Sequence, residues 1–374
     1  MSQRLAFEPQ ANSVAKVCSV ASYVRPALGA NGKIYAAPRD AFHVLEVDPE
    51  VGTARTIGPR FAGYDKYKAV VMAPNDKLYA PPSCGRKVLE IDPETGRVQQ
   101  IGPMMLAGTS LYTCVARAAN GRLYAPPFNA DKVLEIDPAT GAVSQIGDAL
   151  PGFSKYDCIL ACGNGKLYAP PCSAERVLEI NPETGAAQYI GPVLAGDEKY
   201  LCIIAAANGK LYAPQYNARR VLEIDPETNR VREIGGEIAG NKQYCSICAS
   251  PDGKLYAPPN HAGKVLEVDP QNSSVQHIGE VVSGAGNKYT DIARGPNGKL
   301  YAVPCDADKI LEIDPQRRAV STVGRTLSGR GKYGRSCLIA APSGRLLAVP
   351  FCADSVLEIN CYGIPSLAQQ IERA

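Results

Sequence analysis

The chain has 374 residues, of which 45% are hydrophobic and 21% charged, and its formal net charge is only +3. That balance excludes an intrinsically disordered chain, and the charge is too small for bulk attraction to nucleic acid. No apolar run approaches the roughly 20 residues that a membrane-spanning helix needs.

Residues 1–9 hold no apolar segment of the kind that opens a secretory signal, so a cytoplasmic location is expected. The first strand-like stretch is either residues 13–18 or Leu5 to Phe7. A longer pattern then begins. A tyrosine (Tyr23) opens an apolar segment, Asn31-Gly32-Lys33 makes a tight turn, and Tyr35 sits in a second apolar segment. Val44-Leu45-Glu46-Val47 forms a third, and a fourth ends at Ile57-Gly58. Each segment is short, rich in Val, Ile, Leu and Tyr, and bounded by turn residues, which is how strands read. Glycine in the first turn supplies the positive φ of a two-residue hairpin, and the Asp-Pro-Glu-Thr-Gly type of turn (residues 92–96) presets its bend with proline.

The same sentence recurs along the whole chain. The second-strand aromatic falls at Tyr35, Tyr79, Tyr124, Tyr168, Tyr212, Tyr256 and Tyr301, with Leu347 in the eighth place, at spacings of 44 to 46 residues. The strand-opening tyrosine recurs at Tyr67, Tyr112, Tyr156, Tyr200, Tyr244, Tyr289 and Tyr333, the last displaced by a two-residue insertion. No helix of ordinary length fits between these strands. Four antiparallel strands per unit, repeated eight times, predict an all-β, eight-bladed β-propeller. One such sheet cannot bury both faces alone, so the blades must stack into a ring. Residues 1–362 are therefore expected to form a single propeller. The last unit lacks its outer strand, which the N-terminus is expected to supply. Residues 363–374 read as a tail, either frayed or a short helix capped by Ser366 and Gln369.

Units such as Ser250-Pro251-Asp252-Gly253-Lys254-Leu255-Tyr256-Ala257, followed by Lys264-Val265-Leu266-Glu267-Val268-Asp269, resemble repeats of the YVTN and NHL class of propellers. There is no tryptophan, so the Trp-Asp repeat signature is absent, as is the double-glycine pattern of kelch repeats. The resemblance implies architecture. Families of that class include scaffolds, ligand binders, lyases and lactonases, so it leaves activity open.

Thirteen cysteines invite a metal or redox reading. Cys114, Cys158, Cys202 and Cys337 fall on the innermost strand, where they read as small packing residues. Cys245 and Cys248 are three residues apart on a strand and point to opposite faces, so they do not chelate one ion. Cys84, Cys172, Cys305 and Cys352 fall in loops and read as exposed thiols. The third-strand glutamates recur in all eight units and read as partners of the Lys or Arg that opens each second strand, in exposed pairs. The pattern points to no catalytic set, metal site or cofactor.

One rim carries near-identical hairpins, whereas the loops on the other rim vary, and binding residues concentrate on variable loops of a rigid scaffold. That rim gathers Tyr23, Tyr67, Tyr112, Tyr156, Tyr200, Tyr244, Tyr289 and Tyr333, with lysine before them at Lys66, Lys155, Lys199, Lys288 and Lys332. His43, Tyr216 and His261 lie in its loops. The expectation is a non-catalytic binding or scaffold propeller that presents this rim to a protein partner or an anionic ligand. The alternative is a lyase- or lactonase-like enzyme at the channel mouth, with His43, His261, Asp291 and Glu198 as candidates. RNA binding through the Lys-Tyr ring is a third reading, and the low net charge argues against it.

Overall fold

Strands dominate because every apolar segment is short and every connection is a turn, and the sheets that result cannot stand alone. The computed structural model describes residues 10–16 and 22–361, apart from 24, 107 and 285. It contains eight sheets, each of four antiparallel strands. Blades 1 to 7 span residues 27–57, 71–101, 116–146, 160–190, 204–234, 248–278 and 289–323, with strands adjacent in chain order. Blade 8 takes three strands from residues 338–360, and the strand Gln10–Lys16 lies fourth, antiparallel to Ser355–Asn360. No helix among the described residues is long and apolar enough to cross a membrane. The alternative segment Leu5 to Phe7 and the tail 363–374 lie outside the described residues.

The core sits between blades. Tyr168 and Val177 of blade 4 pack with Leu211, Leu222 and Ile224 of blade 5 in one buried cluster. A larger cluster joins Tyr301 and Ile310 of blade 7, Leu346 and Leu357 of blade 8, and Ile34 and Leu45 of blade 1. Blade 8 thus contacts both neighbours, which makes the array a ring. Deleting residues 1–17 tests what the N-terminal strand adds to that closure. A lower melting temperature is expected, because the deletion bares the edge of Ser355–Asn360; an unchanged one would mean that blades 8 and 1 close the ring by side-chain packing alone.

The recurrent glutamates form a polar belt inside this apolar stack. All eight pair with the base that opens the second strand, at distances from 2.7 Å in Lys299–Glu312 to 3.5 Å in Arg345–Glu358. The pairing is the expected one, but the carboxylates are more enclosed than expected, with Glu267 fully buried and Glu179 nearly so. Most are satisfied from several sides, whereas Glu312 Oε2 and Glu358 Oε1 are buried without a hydrogen-bond partner among the described residues. The Tyr168 hydroxyl donates to Glu179 at 3.1 Å, and Asn164 donates both to that hydroxyl and to the Pro226 carbonyl of the next blade. The belt therefore stitches blades together as well as strands. Blade 8 has Leu347 where the others have tyrosine, and there burial pushes the Glu358 carboxyl up against the opposing pull of Arg345.

The inner strands are shorter than their sequence suggests. Most ladders are two residues long, such as Ala27–Leu28, preceded by an isolated bridge such as Tyr23 to Pro38. Between bridge and ladder the chain leaves the sheet to line the central channel.

Candidate functional site

The strand-opening tyrosines and their lysines stand at the rim position the repeat predicts, but their side chains face inward. All eight tyrosines are buried. Tyr67, Tyr112, Tyr156 and Tyr244, for instance, donate their hydroxyls to the carbonyls of Lys87, Lys132, Arg176 and Lys264 at 2.9–3.2 Å. Tyr23, Tyr200 and Tyr333 donate likewise to His43, Arg220 and Ser355. The lysines are buried too. Lys66, Lys155 and Lys332 donate Nζ to the carbonyls of Gly63, Gly152 and Gly329 at 2.6–2.7 Å, and Lys199 does so to Gly196. Burial lowers the pKa of each, Lys288 included. These groups tie loops to blades and present little surface to a partner. Of the histidines, His43 uses its carbonyl on Tyr23, and His261 is exposed with Nε2 at 3.2 Å from Asn287 Oδ1. Glu198 is exposed in a turn, with φ of 49°.

Lys288 and Tyr289 border a larger groove of about 830 Å³, and another concave feature lies further in, at the mouth of the channel. A chamber of about 330 Å³ is lined by two sets of residues. One set is the fourth residue after each second-strand aromatic: Arg39, Phe128, Tyr216, Asn260, Cys305 and Phe351. The other follows the strand-opening tyrosines: Lys68, Thr113, Asp157, Cys245, Thr290 and Gly334. Arg25, Asn287 and Arg335 complete it. Of the residues expected to bind, Tyr216 alone lines this chamber.

Main-chain hydrogen bonds between blades fix these positions. The carbonyls of Arg39, Phe128, Cys172, Tyr216, Asn260 and Cys305 each accept from the residue before the next blade's opening tyrosine, at 2.8–3.1 Å. A ring residue therefore cannot shift without moving its neighbour, and such preorganisation lowers the cost of binding.

One ionic group lies on a single arc. Arg39 Nε meets Asp65 Oδ1 at 2.8 Å, and Lys68 Nζ meets Asp65 Oδ2 at 2.9 Å. Ser83 and Ser110 also donate to Asp65, whose carboxyl is raised by burial but lowered more by Lys68 and Arg39, to about 2. The Arg39 guanidinium lies 4.9 Å from the Phe351 ring centroid, and Lys68 Nζ 5.8 Å from that of Phe128. Such contacts hold cations over aromatic faces.

A second ionic group crosses the channel. Asp157 belongs to blade 4, Arg335 to blade 8 on the opposite side of the ring, and Arg25 to blade 1. Arg335 Nη1 and Arg25 Nη2 both reach Asp157 Oδ2, the latter at 3.4 Å. Arg25 Nη1 also donates to the carbonyls of Thr113 and Asp157, at 3.1 and 3.0 Å. Burial pushes the Asp157 carboxyl up, but the two arginines outweigh it and hold it below the usual carboxylate range. Beyond this group, further along the inner strands, lies a second cavity of about 360 Å³ lined by Arg25, Cys114, Cys158, Cys202, Ser336 and Asp291. Asp291 accepts from Ser246 Oγ and from the Leu338 and Ile292 amides, and burial pushes its carboxyl up to about 6.

The thiols divide differently from the expectation. Cys114, Cys158 and Cys337 are buried on the inner strands as packing residues, and Cys202 is half-buried. Of the four loop cysteines expected to be exposed, only Cys352 is; Cys172 and Cys305 turn inward toward the channel and Cys84 is half-buried. Burial raises the pKa of Cys172 to about 12 and of Cys305 to about 11, which disfavours reactive thiolates.

No protein-family model matches the chain, and no curated protein matches it. Solved structures do. A streptogramin B lyase superposes with a TM-score of 0.59 at 14% identity, covering 79% of this chain and 93% of the lyase. Virginiamycin B lyase from Staphylococcus aureus, in a catalytically inactive histidine-to-alanine form with quinupristin, gives 0.59 at 10% identity, covering 94% and 99%. A periplasmic gluconolactonase from Pseudomonas aeruginosa gives 0.54 at 18% identity, covering 84% and 97%. At these identities the likeness is one of fold, and the propeller architecture is established by it together with the eight four-stranded sheets.

Proposed function

We propose that the chain is a ligand-binding propeller whose channel-mouth chamber takes a small anionic molecule with an apolar, planar body. One observation carries this reading. Arg25, Arg39, Lys68 and Arg335 face Asp40, Asp65 and Asp157, so the cations around the chamber exceed the acids by one, beside Phe128, Tyr216 and Phe351. Partly desolvated cations strengthen attraction to an anion, and the rings supply apolar contact. The rim as a protein-docking surface is less favoured, because its tyrosines and lysines are internal.

Calorimetric titration of benzoate at low ionic strength tests the reading. Saturable binding is expected, weaker at higher salt and at least about threefold weaker in Lys68→Met. Absence of binding, or an affinity that neither Lys68→Met nor Phe128→Ala changes, would overturn it.

A catalytic reading has one observation in its favour, the buried Asp291 carboxyl that titrates near 6 and lines the second cavity. A group poised near neutrality is suited to proton transfer. No described histidine lines either cavity, which weighs against chemistry like that of the histidine-dependent lyase. Hydrolysis of an aldonolactone that Asp291→Asn abolishes would favour the enzyme; equal rates with and without protein would dismiss it.

A further inference from the structure

The two arginines on Asp157 are placed there by departures from the repeat. Blade 8 alone carries two extra residues between its opening tyrosine, Tyr333, and its second strand, and Arg335 lies in the turn they form. The next residue, Ser336, has φ of 52°, and Arg25 has φ of 45°, conformations that side-chain-bearing residues rarely adopt. Such strain persists where the surroundings impose it, and it gathers at functional sites.

The two cations are held unequally. Arg25 is fixed by two main-chain carbonyls in addition to the carboxylate, and its side chain is 14% exposed. Arg335 is anchored, among the described residues, by Asp157 Oδ2, and 34% of its side chain is exposed. A guanidinium has five N–H donors in a planar fork that fits a carboxylate bidentately, so Arg335 has donors to offer without leaving the chamber.

We propose that the anionic group of the chamber's ligand is a carboxylate that docks on Arg335 in competition with Asp157, which acts as a built-in stand-in for it. The inference rests on the chamber being the ligand site and adds the ligand's chemical class and the residue that reads it. Asp157 sets a threshold: only a carboxylate that also gains contact with the aromatic wall outcompetes an acid already in place.

Benzoate titrations of the full chain decide the matter, with wild type, Asp157→Asn, Arg335→Met, Arg335→Lys and Lys68→Met side by side. Removing the competing charge is expected to tighten benzoate binding by about tenfold in Asp157→Asn. Arg335→Met is expected to weaken it at least tenfold, and Arg335→Lys several-fold through loss of the fork. If wild type binds and Lys68→Met weakens binding, but Asp157→Asn is no tighter or Arg335→Met is unchanged, the chamber stands and the docking inference falls. If none of the proteins binds, both fall. Should thermal melts show Asp157→Asn unfolded, Arg335→Lys decides alone, and an unchanged affinity overturns the inference. Tighter binding of phenylphosphonate than of benzoate would overturn the carboxylate assignment.

Discussion

Asp157→Ala is expected to destabilise the propeller by about 3–5 kcal/mol, the range for removing one partner of a buried ionic group. The variant leaves Arg25, 14% exposed, without its carboxylate in the middle of the channel, and it releases blade 8 from blade 4. Arg335 is a third exposed and rehydrates in part, which places the effect toward the lower end. The pH dependence follows from the direction of the shift. Asp157 has a folded pKa below its unfolded value of about 3.9, so its contribution is complete above that value and is lost as pH falls through the folded one. Asp65, lowered to about 2, acts in the same acidic window. Asp291 has the opposite sign: its folded value of about 6 lies above the unfolded one, so its ionisation costs stability from about pH 4 upward, fully above 6. Urea unfolding across pH 2 to 8 is therefore expected to show Asp157→Ala losing part of the acid-side slope while the decline between 4 and 6 persists. An unchanged acid-side slope would mean that Asp157 is not ion-paired in solution.

The architecture was legible because its determinants repeat. Turn chemistry and the order of the strands follow from local sequence, and eight copies leave no other way to bury both sheet faces. The pairing of the glutamates with the second-strand bases was legible for the same reason, but their burial was not. The rim was not. Lysine before tyrosine reads as exposed charge, yet a glycine three residues earlier supplies a carbonyl for the ammonium in Gly63/Lys66, Gly152/Lys155, Gly196/Lys199 and Gly329/Lys332. That spacing was the available signal. The channel chamber depends on what differs between copies. The residue after the opening tyrosine runs Lys68, Thr113, Asp157, Leu201, Cys245 and Thr290 while the tyrosine itself never changes. The fourth residue after the second-strand aromatic runs Arg39, Ser83, Phe128, Cys172, Tyr216, Asn260, Cys305 and Phe351. Repetition defines the scaffold and departures from it define the site. Pairing across the ring, as between Asp157 and Arg335, lies 178 residues apart in sequence and has no local trace.

Gly191→Ala is expected to cost about 2–5 kcal/mol, more than any glycine change in the hairpins, for a reason that explains why Ile-Gly ends nearly every outer strand. Gly191 has φ of +73°, and a Cβ there would lie 2.5 Å from Val231 Cβ and 2.6 Å from its Cγ2, on the outer strand of the next blade. The variant combines left-handed strain of about 1–3 kcal/mol with overpacking of similar size. Gly165, in a hairpin, has φ of +81° but open space around it, so Gly165→Ala carries the conformational cost alone. A Cβ at Gly147 would lie 3.0 Å from Ala187 Cβ, a tight but less severe contact, and Gly147→Ala is expected to fall between them. The clash can be separated from the strain. Adding Val231→Gly to Gly191→Ala removes the opposing Cβ together with its methyls, so the double variant should be more stable than the sum of the single effects, by more than about 1 kcal/mol. Denaturant midpoints for the four proteins give that coupling. Strict additivity would show that blades 4 and 5 do not approach this closely, and that the glycine serves the turn and not the stacking of the ring.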